Sequence, residues 1–135
     1  MGSANLDLVR TIYAAWERGD YSSSEWADPE IKCVFRDGPT PGSWTGLAGM
    51  AEAWRAFLST WEEFRQEADE YRELDDERVL VLARFSGRGK ISGLELQQMA
   101  RQGASLFHLR AGKVTRHVAY VDSETALADL VLPSR

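Results

Sequence analysis

The chain has 135 residues, 44% of them hydrophobic, and a formal net charge of −5. That is one domain's worth of sequence with material for one real core, so a single domain over 1–135 is expected. The acidic balance argues against a nucleic-acid partner, which needs a basic face, and no run of about 18 apolar residues offers a membrane span.

Residues 5–18, NLDLVRTIYAAWER, place Leu6, Val9, Ile12, Tyr13 and Trp16 on one helical face, and Gly19 is a natural stop. Ser22, followed three residues later by Glu25, fits a capping box. A short helix is therefore expected there, carrying Trp26 inward and ending before Pro29. Residues 30–35 read as a strand and 36–46 as a loop rich in turn residues. A second long helix follows, with Met50, Trp54, Phe57, Leu58 and Trp61 forming a wide apolar stripe.

The pattern then changes. Residues 64–74 alternate loosely, 78–85 (RVLVLARF) form a near-continuous β-type run, and GRGK at 87–90 reads as a hairpin turn rather than a phosphate loop. Residues 91–109 predict a long strand, bent or bulged near Gly103, and 113–121 a further strand. Asp122 or Ser123 caps a last helix holding Ala126, Leu127, Leu130 and Val131. Helices followed by an antiparallel meander mean an α+β fold. Long bent strands beside ring-rich helices predict a curved sheet folded over them, with a cavity between.

Cys33 is the one cysteine, so no internal disulfide forms. With no basic-then-apolar leader at the start, a cytoplasmic chain is expected. No Cys/His cluster has metal-ligand spacing, and neither a metal nor a cofactor is expected.

The segments IYAAWERGDY (12–21), DPEI (28–31), WTGLAGMAEAWRAF (44–57), DDERVLVLARFSGRG (75–89) and LFHLRAGKVTRHVAYVDSETALADL (106–130) resemble, in order, the SnoaL-like branch of the NTF2-like superfamily. The resemblance implies an NTF2-like cone: a curved, mostly antiparallel sheet wrapped over N-terminal helices, enclosing an apolar pocket and usually dimeric. It implies function loosely, because the superfamily holds isomerases, cyclases, dehydratases, epoxide hydrolases and proteins without chemistry.

Each catalytic pattern of the superfamily can be tried on these residues. Asp37, nine residues before Gly46, matches the isomerase base in spacing. The oxyanion donors do not follow: the tyrosine position falls on Ile12, with Tyr13 rotated by about 100°, and the strand aspartate position falls on Ser105. The epoxide hydrolase Asp–Arg–Asp set cannot be assembled around Arg101. His117 answers to the pocket histidine of SnoaL-like cyclases, but their acid has no counterpart, since Ala119 stands beside it on the same face.

On the strand 113–121, Thr115, His117, Ala119 and Val121 share one face, and the resemblance turns that face inward. His117 is a histidine satisfied by a hydroxyl or water, a ligand contact, or an acid/base group. Asp37 is a turn residue in RDGP or a base with a desolvated carboxyl. Tyr13, Trp16, Trp26, Phe35, Trp54, Phe57, Met99, Arg101, Ser105, Phe107, Thr115 and Ala119 are the expected pocket lining. His108 faces the other way.

Leu80, Leu82, Leu94, Leu96, Leu106 and Val118 would leave an exposed apolar outer face, which predicts a homodimer through the sheet. The functional expectation is a binder of an apolar or aromatic small molecule, with cofactor-free acid/base catalysis of the cyclase, isomerase or dehydratase type through Asp37 or His117. The alternative is a non-catalytic carrier or dimerisation module. A cavity of several hundred Å³ favours the first, and one plugged by Trp16, Trp54 and Trp61 favours the second.

Overall fold

The protein is described here by a computed structural model covering residues 4–37, 41–89 and 102–130. Its elements in chain order are α1 (Ala4–Glu17), β1 (Ala27–Phe35), β2 (Gly42–Thr45), α2 (Gly46–Leu58), β3 (Trp61–Asp75), β4 (Arg78–Gly89), β5 (Gly103–Arg110), β6 (Lys113–Tyr120) and α3 (Ser123–Asp129). The strands form one sheet in the order β2-β1-β6-β5-β4-β3. Among the described residues only the β1–β6 pair is parallel. This is the α+β NTF2-like architecture, with a curved, unclosed sheet folded over α1 and α2.

Alternation along the strands divides the apolar residues between two cores. On the inner face, Val79, Val81, Ala83 and Phe85 of β4 and Phe107 of β5 join Ile12, Tyr13 and Trp16 of α1 and Met50, Trp54 and Phe57 of α2. On the outer face, Leu80, Leu82, Leu106 and Val118 pack with Tyr120, Ala126 and Leu127. The outer face was expected to be open. Instead Leu80 and Leu82 are 0% and 1% exposed in the single chain, in one cluster with Leu106, Val118 and Tyr120 and with Ala126 and Leu127 of α3. The apolar surface that motivated a sheet-to-sheet dimer is therefore already covered at these residues; Leu94 and Leu96 lie outside the described residues.

Several local expectations also change. α1 ends as read, with Gly19 at φ +84° and its N–H donated to the Trp16 carbonyl at 2.9 Å. The short helix at Trp26 does not form. Asp20 captures the Ser22 amide at 3.0 Å and its hydroxyl at 2.6 Å, a side-chain turn that displaces the capping box. Trp26 is still buried, its indole N–H donated to Ser23 Oγ at 3.1 Å. β1 starts earlier than residue 30, and its pairing with β6 shifts register between Ala27 and Lys32, around Pro29.

Part of the expected loop is strand β2. Trp61 opens β3 rather than ending α2, since Ser59 and Thr60 cap the helix by donating to the carbonyls of Arg55 and Phe57. Residues 87–89 of the expected GRGK turn are instead the end of β4, with Gly89 paired to Trp61, and Lys90 lies outside the described residues.

Candidate functional site

The site is built where β5 and β6 face α1. His117 pairs with Phe107 on β5 and with Cys33 on β1, and it points inward as the alternation demands. It is 1% exposed. The rings of Phe107, Trp16 and Trp54 lie 4.8, 5.3 and 6.1 Å from the imidazole, Trp54 nearly parallel to it at 21°.

Its Nε2 is 3.0 Å from Ser105 Oγ, and the Tyr13 hydroxyl donates to the same Oγ at 3.0 Å. Ser105 has one proton. Accepting from Tyr13, it either gives that proton to Nε2 or accepts a second time from Nε2–H, according to the imidazole tautomer. Burial among rings disfavours the imidazolium and pulls the His117 pKa down to about 3. Burial likewise pushes the Tyr13 phenol well above its ordinary value. The result is a neutral series, Tyr13 to Ser105 to His117, inside the inner core.

Tyr13 corrects the spacing argument made from the sequence. It is fully buried and reaches across to β5, although the isomerase pattern placed the inward position at Ile12. Ile12 is buried as well, because α1 enters the core over a broad face. The Tyr13 proton is nevertheless spent on Ser105.

Asp37 sits apart from this series in its bonding. Its Oδ1 accepts from the Val121 amide at 2.6 Å and its Oδ2 from the Asp122 amide at 3.2 Å. The adjacent Arg36 amide donates to the Ala119 carbonyl at 2.9 Å. Asp37 thus clamps the end of β1 to the junction of β6 and α3. Asp37→Ala leaves two part-buried amides without acceptors and is expected to lower stability by about 2 kcal/mol in urea unfolding. A loss below a few tenths would remove the clamp.

The pocket lining resolves unevenly. A hollow of about 10 Å³ is bounded by Phe35, Trp54, Phe57, Ser105 and Ala119, all expected, and by Phe64, Gln66 and Phe85, which were not. That volume suits one water, not a drug-sized molecule. Tyr13, Trp16, Trp26 and Phe107 fill the core around it instead of bordering it. Thr115 is displaced by a β-bulge: pairing slips between His108 and Leu109, Val114 takes the inward place, and Thr115 Oγ1 donates to the His108 carbonyl at 3.3 Å. His108 lies half-buried on the outer side. Met99 and Arg101 lie outside the described residues.

Gln66 is the polar residue the sequence reading missed. It is 5% exposed and its Nε2 donates to the Tyr21 hydroxyl at 3.1 Å. Tyr21 in turn covers Trp54, ring to ring at 4.6 Å. The signal was present, since Phe64, Gln66 and Ala68 alternate inward on β3. Among the described residues no group of three His, Cys, Asp or Glu side chains is placed to hold a metal ion, and no helix is long and apolar enough to cross a membrane.

The SnoaL-like domain family matches residues 9–117, and the chain belongs to that family. An NTF2-like protein from Burkholderia thailandensis is similar over 98% of this chain and 100% of its own, at 20% identity and a TM-score of 0.74. TerC, co-crystallised with polyporic acid, is similar over 96% of this chain and 98% of its own, at 21% identity and a TM-score of 0.72. A candidate polyketide cyclase from Sinorhizobium meliloti follows, at 20% identity and a TM-score of 0.64, over 84% of this chain and 93% of its own. These likenesses establish the fold. No curated protein matches the chain.

Proposed function

We propose that this chain is a single-domain, non-catalytic binder of an apolar or aromatic small molecule, its interior a recognition site rather than a proton-transfer site. The observation that carries this reading is the buried hydrogen-bonded series Tyr13–Ser105–His117. A pKa near 3 makes His117 a weak base at neutral pH, and Asp37 is committed to backbone amides. Trp16 and Trp54 stand against the imidazole, so a ligand must displace the Trp54–Tyr21–Gln66 wall to enter.

The second reading is acid/base catalysis of the cyclase, isomerase or dehydratase type. It is favoured by the neutral imidazole held one hydroxyl away from a phenol: displacing Ser105 would free Nε2 to take or give a proton. TerC, with its polyporic acid, lends support by likeness to small-molecule binding on this fold. A cytoplasmic location is proposed on Cys33, whose free thiol suits a reducing compartment. A homodimer through the outer sheet face stays a proposal, and its contact would have to include α3.

The test is a thermal-shift screen of neutral aromatic compounds against the wild type and the Tyr21→Ala variant. Compounds that raise the melting temperature are expected to do so more strongly in Tyr21→Ala, whose wall is open. Hits unaffected by Tyr21→Ala would count against the interior, and turnover of a hit abolished by His117→Gln would favour the second reading.

A further inference from the structure

A cavity much larger than the interior hollow lies outside it. A cleft of about 470 Å³ lies between the end of α1 and the β3–β4 pair, lined by Glu17, Arg65, Gln66, Glu67, Arg84, Phe85 and Ser86. We propose that this cleft is a second binding site, for a flat aromatic molecule carrying a single negative charge.

The charge argument starts from which cations are already used. Arg84 donates Nε to Asp69 at 2.7 Å and its terminal nitrogen to Glu67. Asp69 also accepts from Gln102 at 3.1 Å. Glu17 Oε2 accepts from the Ala68 amide at 2.8 Å, which seals the outer edge of β3. The Arg65 side chain, alone among the cleft's charged side chains, makes no hydrogen bond or ion pair among the described residues; its backbone pairs with Ser86. It also borders a neighbouring cleft of about 200 Å³, so its head has room on both sides. A planar guanidinium without a partner fits a carboxylate in fork geometry. Glu17 and Glu67 on the same walls would repel a dianion, which limits the ligand to one negative charge.

The aromatic argument comes from the floor. Phe85 is 8% exposed, lines both the cleft and the interior hollow, and meets Phe64 edge-on at 5.5 Å and 61°. Gln66 likewise borders both. The cleft therefore offers a ring-bearing base, an amide and a cation without a partner among the described residues, in a volume within the usual range for small ligands, roughly 300–1,000 Å³. It sits outside the Tyr13–Ser105–His117 series and does not require the interior to open.

The probes are 2-naphthoate and its uncharged counterpart 2-naphthamide, titrated into the full ¹⁵N-labelled chain and followed by amide shifts. Arg65 is exposed, so Arg65→Gln is expected to fold as the wild type does. 2-Naphthoate is expected to shift Gln66, Glu67, Phe85 and Ser86 saturably and to bind about fivefold more tightly than 2-naphthamide. Arg65→Gln should erase that preference. Equal binding of the two probes, a preference that survives Arg65→Gln, or no saturable shift would overturn the site. Shifts confined to Ser105, His117 and their neighbours would also overturn it, while leaving the interior reading intact.

Discussion

Lowering the pH from 7 to 4.5 is expected to cost the wild-type protein about 2–3 kcal/mol more stability than it costs a His117→Gln variant. In the folded chain the His117 pKa is drawn down from 6.5 to about 3 by burial. In the unfolded chain the same imidazole titrates at its ordinary value. Between those two values the unfolded state binds the extra proton, so acid pulls the equilibrium toward it. The contribution is complete above pH 6.5, shrinks as pH falls through 5 and 4, and is fully lost only near pH 3.

Among the described residues no charged side chain packs on the imidazole: Trp16, Trp54 and Phe107 stand around it and Ser105 is its hydrogen-bond partner. Nothing there compensates an imidazolium. Urea unfolding at several pH values measures the effect in both proteins. Carboxylates elsewhere titrate in both, so their share cancels in the difference. Equal acid sensitivity would mean that His117 titrates as if in water, and the closed interior series would fall with it.

The same residue shows how far the sequence could be read. Period-two alternation over residues 113–121 was enough to turn His117 inward, because one face of β6 must be apolar. Alternation could not show Thr115, where an inserted residue slips the pairing and hands the inward place to Val114. Spacing at Ile12 misjudged Tyr13, because a helix seated in a curved sheet buries a face wide enough for both. The Asp37 clamp was invisible for a different reason. Its partners, Val121 and Asp122, lie 84 and 85 residues away, and no local pattern announces a backbone amide in need of an acceptor. Gln66 was legible in the alternation of β3, but the charges of that edge strand drew the eye to its other face.

The outer face failed for want of one fact. Leu80 and Leu82 read as exposed when the strands are taken by themselves. Ala126, Leu127 and Leu130 were seen as the apolar stripe of a last helix, yet where that helix packs is a tertiary matter. A chain with two apolar sheet faces and one spare amphipathic helix can draw on that helix for the second face, and Ala126 and Leu127 of α3 join the outer cluster.

Gly103→Ala is expected to cost about 3 kcal/mol, the upper end for adding one methyl group to a filled core. The sequence reads as a long strand bent or bulged near Gly103. Its backbone does not occupy the left-handed region, and β5 begins there in regular pairing, with Ala83 opposite. What Gly103 provides is space. A Cβ there would lie 2.7 Å from the Tyr120 carbonyl oxygen and 2.6 Å from Phe85 Cζ, with Phe85 Cε2 closer still.

The two clashes differ in kind. The Phe85 ring stands beside the interior hollow and can rotate or be shortened, whereas the Tyr120 carbonyl belongs to the β5–β6 ladder, where Ala104 pairs with Tyr120. Phe85→Leu should therefore rescue only part of the loss when combined with Gly103→Ala, leaving about 1–2 kcal/mol that no side-chain change relieves. Full rescue would mean that the ring alone sets the limit. A neutral Gly103→Ala would mean that β5 can shift outward at its start, and the close approach of β5 to β6 that holds Ser105 against His117 would not be rigid.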